Sequence, residues 1–258
     1  MSKLKVTILG SGTSQGVPVI ACECEVCQSK NIKDKRLRSS IMLSYKGENF
    51  VIDSGPDFRQ QMLREEVKTL SGIVFTHEHK DHLAGLDDVR AFNYVEKRDM
   101  EVYCTEQVEN ALRNEFHYIF QEFQYPGVPK VNLNRISKNA PFKIGEHLTL
   151  QPIEVMHYKL PVLGFRVDDF TYLTDAKTIS NQEKEKIKGT KILIVNALRI
   201  TEHISHFNLE EALEFIDEIK PEKAYLTHIS HLFAKHIDIE EMLPENVFVA
   251  FDGMVIDI

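Results

Sequence analysis

The stretch FTHEHKDHLAG, residues 75–85, begins at the end of the apolar run GIVF and carries four potential metal ligands within six positions. In an extended segment, side chains two positions apart point the same way, so His77 and His79 can bind one ion together. Asp81 and His82 are adjacent, and a helix that begins near His82 would turn them toward a second ion. The pattern predicts a loop that organises two metals after a buried strand.

Further candidate ligands stand where other strand-like segments end. His157 follows LQPIEVM, Asp175 ends TYLTD, and His228 follows KAYLT. Each is weak evidence alone, because a single histidine is usually a surface or hydrogen-bonded core residue. Together they give the chain order HxHxDH, H, D, H, which supplies enough ligands for two ions.

The alternation of strands and helices predicts the architecture. Strand-like runs such as KVTILG, NFVID, KILIVNA and KAYLTH are interleaved with segments of helical period such as GLDDVRAFNYVEK, EQVENALRNEFHYIFQEF and NLEEALEFIDEI. NFVIDSG in the first half resembles FTYLTDA in the second, and VFTHEH resembles YLTHIS. We therefore expect an α/β fold, an αββα four-layer sandwich formed by residues 1–258 as one domain, with the polar strand ends at one rim.

ACECEVC, residues 21–27, holds three of the four cysteines. Cys22, Cys24 and Cys27 are too close together to form a disulfide framework, so metal binding by a loop at about residues 20–30 is the better interpretation. The remaining Cys104 lies in EVYCT, which is typical of an interior strand, and we expect it to be a buried apolar residue. The residues alone leave the fourth ligand open.

The bulk composition excludes several classes of protein. A net charge of -8 argues against stable nucleic-acid binding, and no apolar run is long enough to span a membrane. No signal-peptide pattern precedes the first strand, so we expect a cytoplasmic protein. The segment KNIKDKRLRSS gathers five basic residues, which we expect to lie in a solvated loop: Lys30, Lys33, Lys35, Arg36 and Arg38.

The ligand order HxHxDH, H, D, H resembles that of the metallo-β-lactamase superfamily of binuclear hydrolases. The resemblance implies one metal on His77, His79 and His157, and another on Asp81, His82 and His228, with Asp175 bridging both. Asp53, which ends NFVID, resembles the family's aspartate that contacts the metal ligands without binding the metals itself. Di-iron redox members carry a carboxylate at the second position of the motif, so His79 favours hydrolysis.

The chemistry expected of such a site is hydrolytic. Two cations a few ångströms apart would convert a bridging water to hydroxide near neutral pH and stabilise the attacking and leaving oxygens. The ligand set suits two divalent ions, Zn or Mn. The family resemblance implies that the substrate is a small-molecule phosphodiester.

Three further segments, GSGTSQGVPVIACECEVC, HFNLEEAL and LTHISHLF, resemble one branch of the superfamily. It comprises the phosphoribosyl 1,2-cyclic phosphate phosphodiesterases of the carbon-phosphorus lyase pathway, which degrades phosphonates. The resemblance implies that His231 completes a structural zinc site with the three cysteines. It also implies that His206 is an active-site histidine that does not bind metal, and we assign it as the general acid. Asp81 is the other catalytic residue that we expect, and the resemblance implies that a homodimer can form. We assign no role to His203 or His117.

Other functions remain open. A 2',3'-cyclic nucleotide would suit the same metal pair. A ribonuclease of the tRNA 3'-processing type shares the HxHxDH loop, although no Gly- and Lys-rich arm is evident. A thioester hydrolase is another candidate, although the cysteine cluster does not fit that class of enzyme. A metal-binding regulatory protein is the non-enzymatic alternative.

Overall fold

The computed structural model describes residues 3–123 and 125–258, which form two facing β-sheets of seven strands each. The first sheet contains β1 (Lys5–Gly10), β2 (Ser40–Tyr45), β3 (Glu48–Ile52), β4 (Gly72–Val74), β5 (Met100–Cys104), β6 (Val131–Arg135) and the last strand, β14 (Val255–Asp257). The second contains β7 (Phe142–Ile144), β8 (Leu148–His157), β9 (Leu160–Val167), β10 (Phe170–Tyr172), β11 (Ile192–Asn196), β12 (Lys223–Thr227) and β13 (Val247–Val249).

The described part of the chain also contains short α-helices, most of which cover the outer sides of the two sheets. They are α1 (Glu25–Gln28), α2 (Phe58–Arg64), α3 (Lys80–Leu83), α4 (Arg90–Glu96), α5 (Glu106–Glu115), α6 (Asn181–Ile187), α7 (Leu209–Ile219) and α8 (His236–Glu240). Short 3-10 helices occupy Ile32–Asp34, Leu86–Val89 and His117–Ile119. Within the described part of the chain, no helix is both long enough and apolar enough to cross a membrane.

Three apolar cores separate the layers. Val6 and Phe50 of the first sheet meet Phe165 of the second between the sheets. Outside the first sheet, Phe58 and Leu112 belong to a core shared with α2, α4 and α5. A third core joins the second sheet to α6, α7 and α8. Because each sheet buries both faces, the molecule is an αββα sandwich, and the predicted fold class is confirmed.

The parallel strands determine where the polar strand ends lie. β3, β4 and β5 are parallel neighbours in the first sheet, and β10, β11 and β12 are parallel neighbours in the second. Asp53 and His77 follow strands of the first group, whereas Asp175 and His228 follow strands of the second. The backbone N–H of Leu163 donates to the carbonyl of Thr76, 3.1 Å away, and so joins the sheets near this rim. The expected convergence of strand ends is confirmed.

Some elements differ from those predicted. β6, β7, α2 and α8 were not expected, and β14 crosses back to pair with β1, with Val6 opposite Ile256. The helix predicted over EQVENALRNEFHYIFQEF is α5 alone, which ends at Glu115. Phe116 and Ile119 are buried in the outer core of the first sheet, so the chain turns inward there.

The basic segment is not the solvated loop that we expected. Arg36 is only 3% exposed, and its Nη1 donates to Ser11 Oγ at 2.9 Å and to the carbonyl of Ala250. Lys35 Nζ donates to the carbonyl of Cys27, and Arg38 pairs with an aspartate. Arg36 joins this loop to a distant part of the chain, whereas Lys35 binds within the loop and Lys30 is exposed. The prediction of a solvated loop is wrong for Arg36.

Candidate active site

The loop between β4 and α3 brings the histidines of HxHxDH together. The ring centroid of His77 lies 4.6 Å from that of His79 and 4.3 Å from that of His82. Helix α3 begins at Lys80, two residues earlier than expected, and places Asp81 and His82 in its first turn. The predicted bend after His79 is therefore present.

Asp53 and Thr76 fix the orientation of the His77 and His82 rings through contacts with their Nδ1 atoms. Asp53 is fully buried, accepts hydrogen bonds from Thr76 N and Oγ1, both at 2.8 Å, and lies 2.7 Å from His82 Nδ1. Because Thr76 Oγ1 donates to Asp53, it is an acceptor for His77 Nδ1, 2.9 Å away. Both Nδ1 atoms thus carry protons, which leaves each Nε2 as the potential metal-binding atom.

The Nε2 atoms of His77 and His82 are buried, and neither makes a hydrogen bond within the described part of the chain. His82 Nε2 lies 3.2 Å from an oxygen of Asp81 and 3.3 Å from an oxygen of Asp175, but the angles do not suit hydrogen bonding. A buried imidazole nitrogen without a partner is costly unless it binds an ion. The donor set and its buried position therefore fit divalent metals.

Asp175 lies between two groups of histidines. Its Oδ2 is 3.3 Å from His82 Nε2 and 3.4 Å from His228 Nδ1, whereas its Oδ1 is 3.1 Å from His206 Nε2. Asn196 holds Ala176, the residue that follows Asp175, in place, because the side-chain amide of Asn196 exchanges two hydrogen bonds with the backbone of Ala176. The two oxygens of Asp175 can therefore serve different ions.

The second group contains His157 and His206. His157 Nδ1 donates to the carbonyl of Ser205, 2.8 Å away, which leaves its Nε2 as the potential metal-binding atom. The ring of His206 is 4.4 Å from that of His157, and its Nδ1 is 3.1 Å from Nδ1 of His203. His203, to which the sequence assigned no role, therefore contacts the candidate general acid. His117 lies in the 3-10 helix His117–Ile119.

Among the described residues at this rim, ligand atoms within 4.8 Å of one another form two sets, His77 with His82 and Asp175, and His157 with Asp175 and His206. These sets differ from the division of ligands implied by the family resemblance. His79 belongs to neither set, although its ring is 5.2 Å from that of His157. The assignment of each ligand to one metal therefore stays a prediction.

Electrostatics suit cation binding. Burial lowers the pKa of His77 well below its ordinary value and that of His228 to about 4, so both rings are neutral ligands at pH 7. Burial alone would raise the pKa of Asp175, but His228 and His82 outweigh it and hold that pKa well below the usual range. Burial likewise opposes charge on His82, yet Asp175, Asp53 and Asp81 raise its pKa well above the ordinary value.

Hydroxyl groups hold His228 in place. Thr13 Oγ1 is 3.1 Å from His228 Nε2, and Ser39 Oγ is 3.2 Å from its Nδ1. Sequence reasoning missed Thr13, Ser39, Thr76 and Asn196. Thr13 lies in GSGTSQG and Thr76 in FTHEHKDHLAG, segments singled out for the site from the sequence, whereas Ser39 and Asn196 gave no such signal.

The cysteine cluster forms at a second place. Sγ atoms of Cys22, Cys24 and Cys27 and a ring nitrogen of His231 lie within 4.8 Å of one another. Cys24 is the N-cap of α1, and the hydrogen bond that its Sγ accepts from Cys27 N is the main cause that lowers its pKa to about 6. Cys104 is completely buried in β5, as expected. Three thiols and one imidazole are a typical donor set for a four-coordinate structural zinc.

The fold and site are those of a known superfamily. The family model described as the beta-lactamase superfamily domain matches residues 48–229, and the chain belongs to that superfamily. Its fold and its candidate site are of the metallo-β-lactamase type. Within the superfamily the chain is close to the PhnP family: it is 35% identical to a crystal structure described as a new diphosphatase from that family. The match covers 99% of this chain and 98% of the other, with a TM-score of 0.92. The resemblance inferred from the sequence is confirmed.

Curated relatives are longer than this chain. An octanoyltransferase from Porphyromonas gingivalis is 38% identical over 97% of this chain but only 51% of its own length. A ribonuclease Z from Nostoc punctiforme is 26% identical over 64% of this chain and 46% of its own length. The chain spans about half the length of these relatives.

Proposed function

We propose that the chain is a binuclear metal-dependent phosphodiesterase that hydrolyses a small cyclic phosphodiester. Phosphoribosyl 1,2-cyclic phosphate and 2',3'-cyclic nucleotides are the substrates considered. The observation that carries the proposal is Asp175, which has ligand atoms within 4.8 Å of those of His77 and His82 in one group and of that of His157 in another. A carboxylate shared between two sets of imidazoles suits a pair of cations better than one.

Two divalent ions, Zn or Mn, would generate the nucleophile from water near neutral pH and stabilise charge on the phosphoryl oxygens. The chain's own part is to hold them. His77, His79 and His157 would bind one ion; Asp81, His82 and His228 would bind the other; Asp175 would contact both. The hydrogen bonds that Asp53 and Ser205 accept keep a proton on Nδ1 of His82 and His157, so Nε2 is the nitrogen that each ring would offer to an ion.

His206 supplies a proton in this proposal. Its Nε2 is 3.1 Å from Asp175 Oδ1, so it borders the bridging ligand, and the residue is 8% exposed. An alkoxide is a poor leaving group, and a proton from His206 Nε2 would allow the ribose oxygen to leave as an alcohol. His203 Nδ1 lies beside His206 Nδ1, which gives the ring a neighbour that can donate or accept.

The cysteine cluster has a separate role in the proposal. A structural zinc held by the three thiolates and His231 would connect residues 22–27 to the segment that carries His228. It would take no part in the chemistry.

Two relatives point to other substrates. The ribonuclease Z match favours RNA, and the octanoyltransferase name favours an acyl group, although half of that relative has no counterpart here. Acyl transfer through a cysteine would need an accessible thiol that is free to attack the acyl group. Among the described residues, Cys22, Cys24 and Cys27 form their own cluster and Cys104 is buried in β5. Phosphodiester hydrolysis therefore remains the better proposal.

The deciding experiment compares four substrate classes on metal-loaded protein. Bis-p-nitrophenyl phosphate and 2',3'-cyclic nucleotides should be hydrolysed, whereas an octanoyl thioester and a tRNA precursor should not. His77→Ala should abolish the activity, and His117→Ala, which changes a residue outside the site, should not. Preference for the thioester or the tRNA precursor would overturn the proposal, and no hydrolysis of any substrate would favour a regulatory protein.

A further inference from the structure

The loop between β11 and α7 carries His203 and His206 and is closed by bonds that involve neither ring. At its base, Leu198 N donates to the carbonyl of Phe207 at 2.9 Å. Inside the loop, the guanidinium of Arg199 donates to two backbone carbonyls, at 3.2 and 2.6 Å. The half-buried His203 ring takes no part in these bonds, so its removal should leave the backbone of the loop in place.

The backbone of Ser205 decides the direction of the hydrogen bond between the two rings. His203 Nδ1 lies 3.1 Å from His206 Nδ1, so one of these nitrogens must donate and the other must accept. The N–H of Ser205 donates to His203 Nδ1, 3.3 Å away, and a ring nitrogen that accepts this bond carries a lone pair instead of a proton. The proton between the two rings therefore belongs to His206 Nδ1.

The remaining polar groups of Ser205 agree with this assignment. Its Oγ is 3.2 Å from His203 Nδ1 and 3.1 Å from His206 Nδ1. Because a hydroxyl both donates and accepts, it can donate to His203 and accept from His206. The carbonyl of Ser205 accepts from His157 Nδ1 at 2.8 Å. One peptide segment thus fixes the ring of a candidate metal ligand and the ring of His203.

The other nitrogen of His206 faces the candidate metal centre. His206 Nε2 is 3.1 Å from Asp175 Oδ1. With a proton fixed on Nδ1, Nε2 is the nitrogen that can release a proton toward a leaving group. A group that holds the Nδ1 proton of a catalytic histidine keeps the ring in the tautomer and orientation that proton transfer through Nε2 requires. His203 stands in this place relative to His206.

We infer that His203 is a positioning residue: its Nδ1 accepts the Nδ1 proton of His206 and keeps His206 Nε2 directed at the reacting centre. The inference rests on the proposed phosphodiesterase function, with His206 as the acid. When the ribose oxygen leaves, the Nε2–H bond breaks, its electron pair stays on Nε2, and the proton forms the O–H bond of the released alcohol. His206 passes from imidazolium to neutral imidazole and retains its Nδ1 proton, while His203 neither gains nor loses a proton.

The test compares a substrate that needs this proton with one that does not. His203→Ala should lower kcat for 2',3'-cyclic AMP about tenfold or more and leave KM within about twofold, because the acid is still present but no longer oriented. For bis-p-nitrophenyl phosphate, kcat should stay within about twofold, since p-nitrophenolate leaves without being protonated. His203→Asn retains an acceptor at the corresponding side-chain position and should recover most of the turnover. His117→Ala is the control.

Further variants separate positioning from a merely structural role. In a His206→Ala background, His203→Ala should cause no additional loss, because the two residues act on one step. Equal losses on the two substrates, or a loss of metal in His203→Ala, would overturn the inference. Ser205→Ala tests the competing acceptor: a loss in that variant with none in His203→Ala would assign the proton to the hydroxyl and refute the role of His203.

The Nδ1 proton of His206 offers a readout that needs no turnover. In ¹⁵N-labelled, zinc-loaded protein, its signal is identified by its disappearance in His206→Ala. The signal should be protected from exchange with water in the wild type and in His203→Asn, and lose that protection in His203→Ala. If this holds but no phosphodiester is hydrolysed, the phosphodiesterase proposal fails while the contact stands. A signal that stays protected in His203→Ala refutes the inference itself.

Discussion

The Sγ atom of Cys22 lies 3.2 Å from Nδ1 of His231, although the two residues are 209 positions apart. His231 is three residues beyond His228, and the backbone of Ile229 exchanges hydrogen bonds with Ser11 and Thr13. The cysteine cluster and the candidate metal centre are therefore connected through one short segment. Anything that loosens the cluster should also disturb His228.

Replacing Cys24 should test this connection. Cys24→Ser should remove about one metal ion per chain, lower the Tm by several degrees and reduce activity, because the segment that carries His228 loses its attachment. Elemental analysis, thermal unfolding and turnover would measure the three effects. Cys104→Ala should keep the full metal content. Lost activity with an unchanged Tm would rule out a structural role for the cluster.

Replacing Asp53 should weaken the metal centre without removing a ligand. Asp53 Oδ2 is 2.7 Å from His82 Nδ1, and an amide in its place cannot orient and polarise the ring equally well. Asp53→Asn should lower metal affinity by about 10–100-fold, measured by competition with a chelator. Asp169→Asn, which affects only an exposed pair with Lys191, is the control. Equal affinity in both variants would contradict the supporting role of Asp53.

The predictability of the site depended on the distance between partners in the chain. HxHxDH lies within six residues after a buried strand, so both the loop and its bend could be predicted. Asp175 and His228 followed from the rule that parallel strands end at one rim. The prediction failed where the fold brings remote polar partners together. Arg36 looks like one of several loop cations, and its burial depends on the carbonyl of Ala250, 214 positions away.

The fold shows the same limit. KVTILG and KILIVNA carry apolar side chains in dense runs, and they form strands as predicted. β6, VNLNR, is polar and lies at the edge of its sheet, so it lacks the apolar signal. Asn196 could not be identified as a support for Asp175, because its amide acts on a backbone segment 20 residues earlier.

Replacing His206 should separate proton donation from metal binding. His206→Ala should lower turnover of 2',3'-cyclic AMP by about a hundredfold or more, with unchanged metal content. Turnover of bis-p-nitrophenyl phosphate should fall much less, because p-nitrophenolate can leave without being protonated. His117→Ala is the control. If the two substrates lose activity equally and one metal disappears, His206 is a ligand, as its position beside His157 and Asp175 would also allow.

His236 should make stability depend on pH outside the metal centre. It is buried, its Nδ1 is 3.2 Å from Arg36 Nη2, and its Nε2 is 3.0 Å from Glu240 Oε1. Because a guanidinium only donates, His236 Nδ1 must accept and the ring must be neutral. Burial, and then the charge of Arg36, lower the pKa of His236 below its ordinary value. Asp34 accepts from the backbone N–H of His236, and the ring of Phe251 packs beside it.

The sign of the effect follows from proton uptake. Below pH 6.5 His236 becomes protonated in the unfolded chain, whereas in the folded chain it stays neutral. The free energy of unfolding is therefore larger at pH 7.5 and falls as the pH drops toward 5.5. His236→Gln keeps an acceptor for Arg36 and a donor for Glu240 but cannot titrate. Between pH 7.5 and 5.5 we expect the free energy of unfolding to fall less in the variant than in the wild type. The slopes of the two free energies against pH should differ by at most about 1.4 kcal/mol per pH unit. Urea unfolding at the two pH values would measure it, with His117→Gln as the exposed control. Both variants retain every predicted metal ligand, so acid release of metals affects each alike, and parallel profiles would exclude His236 as the titrating group.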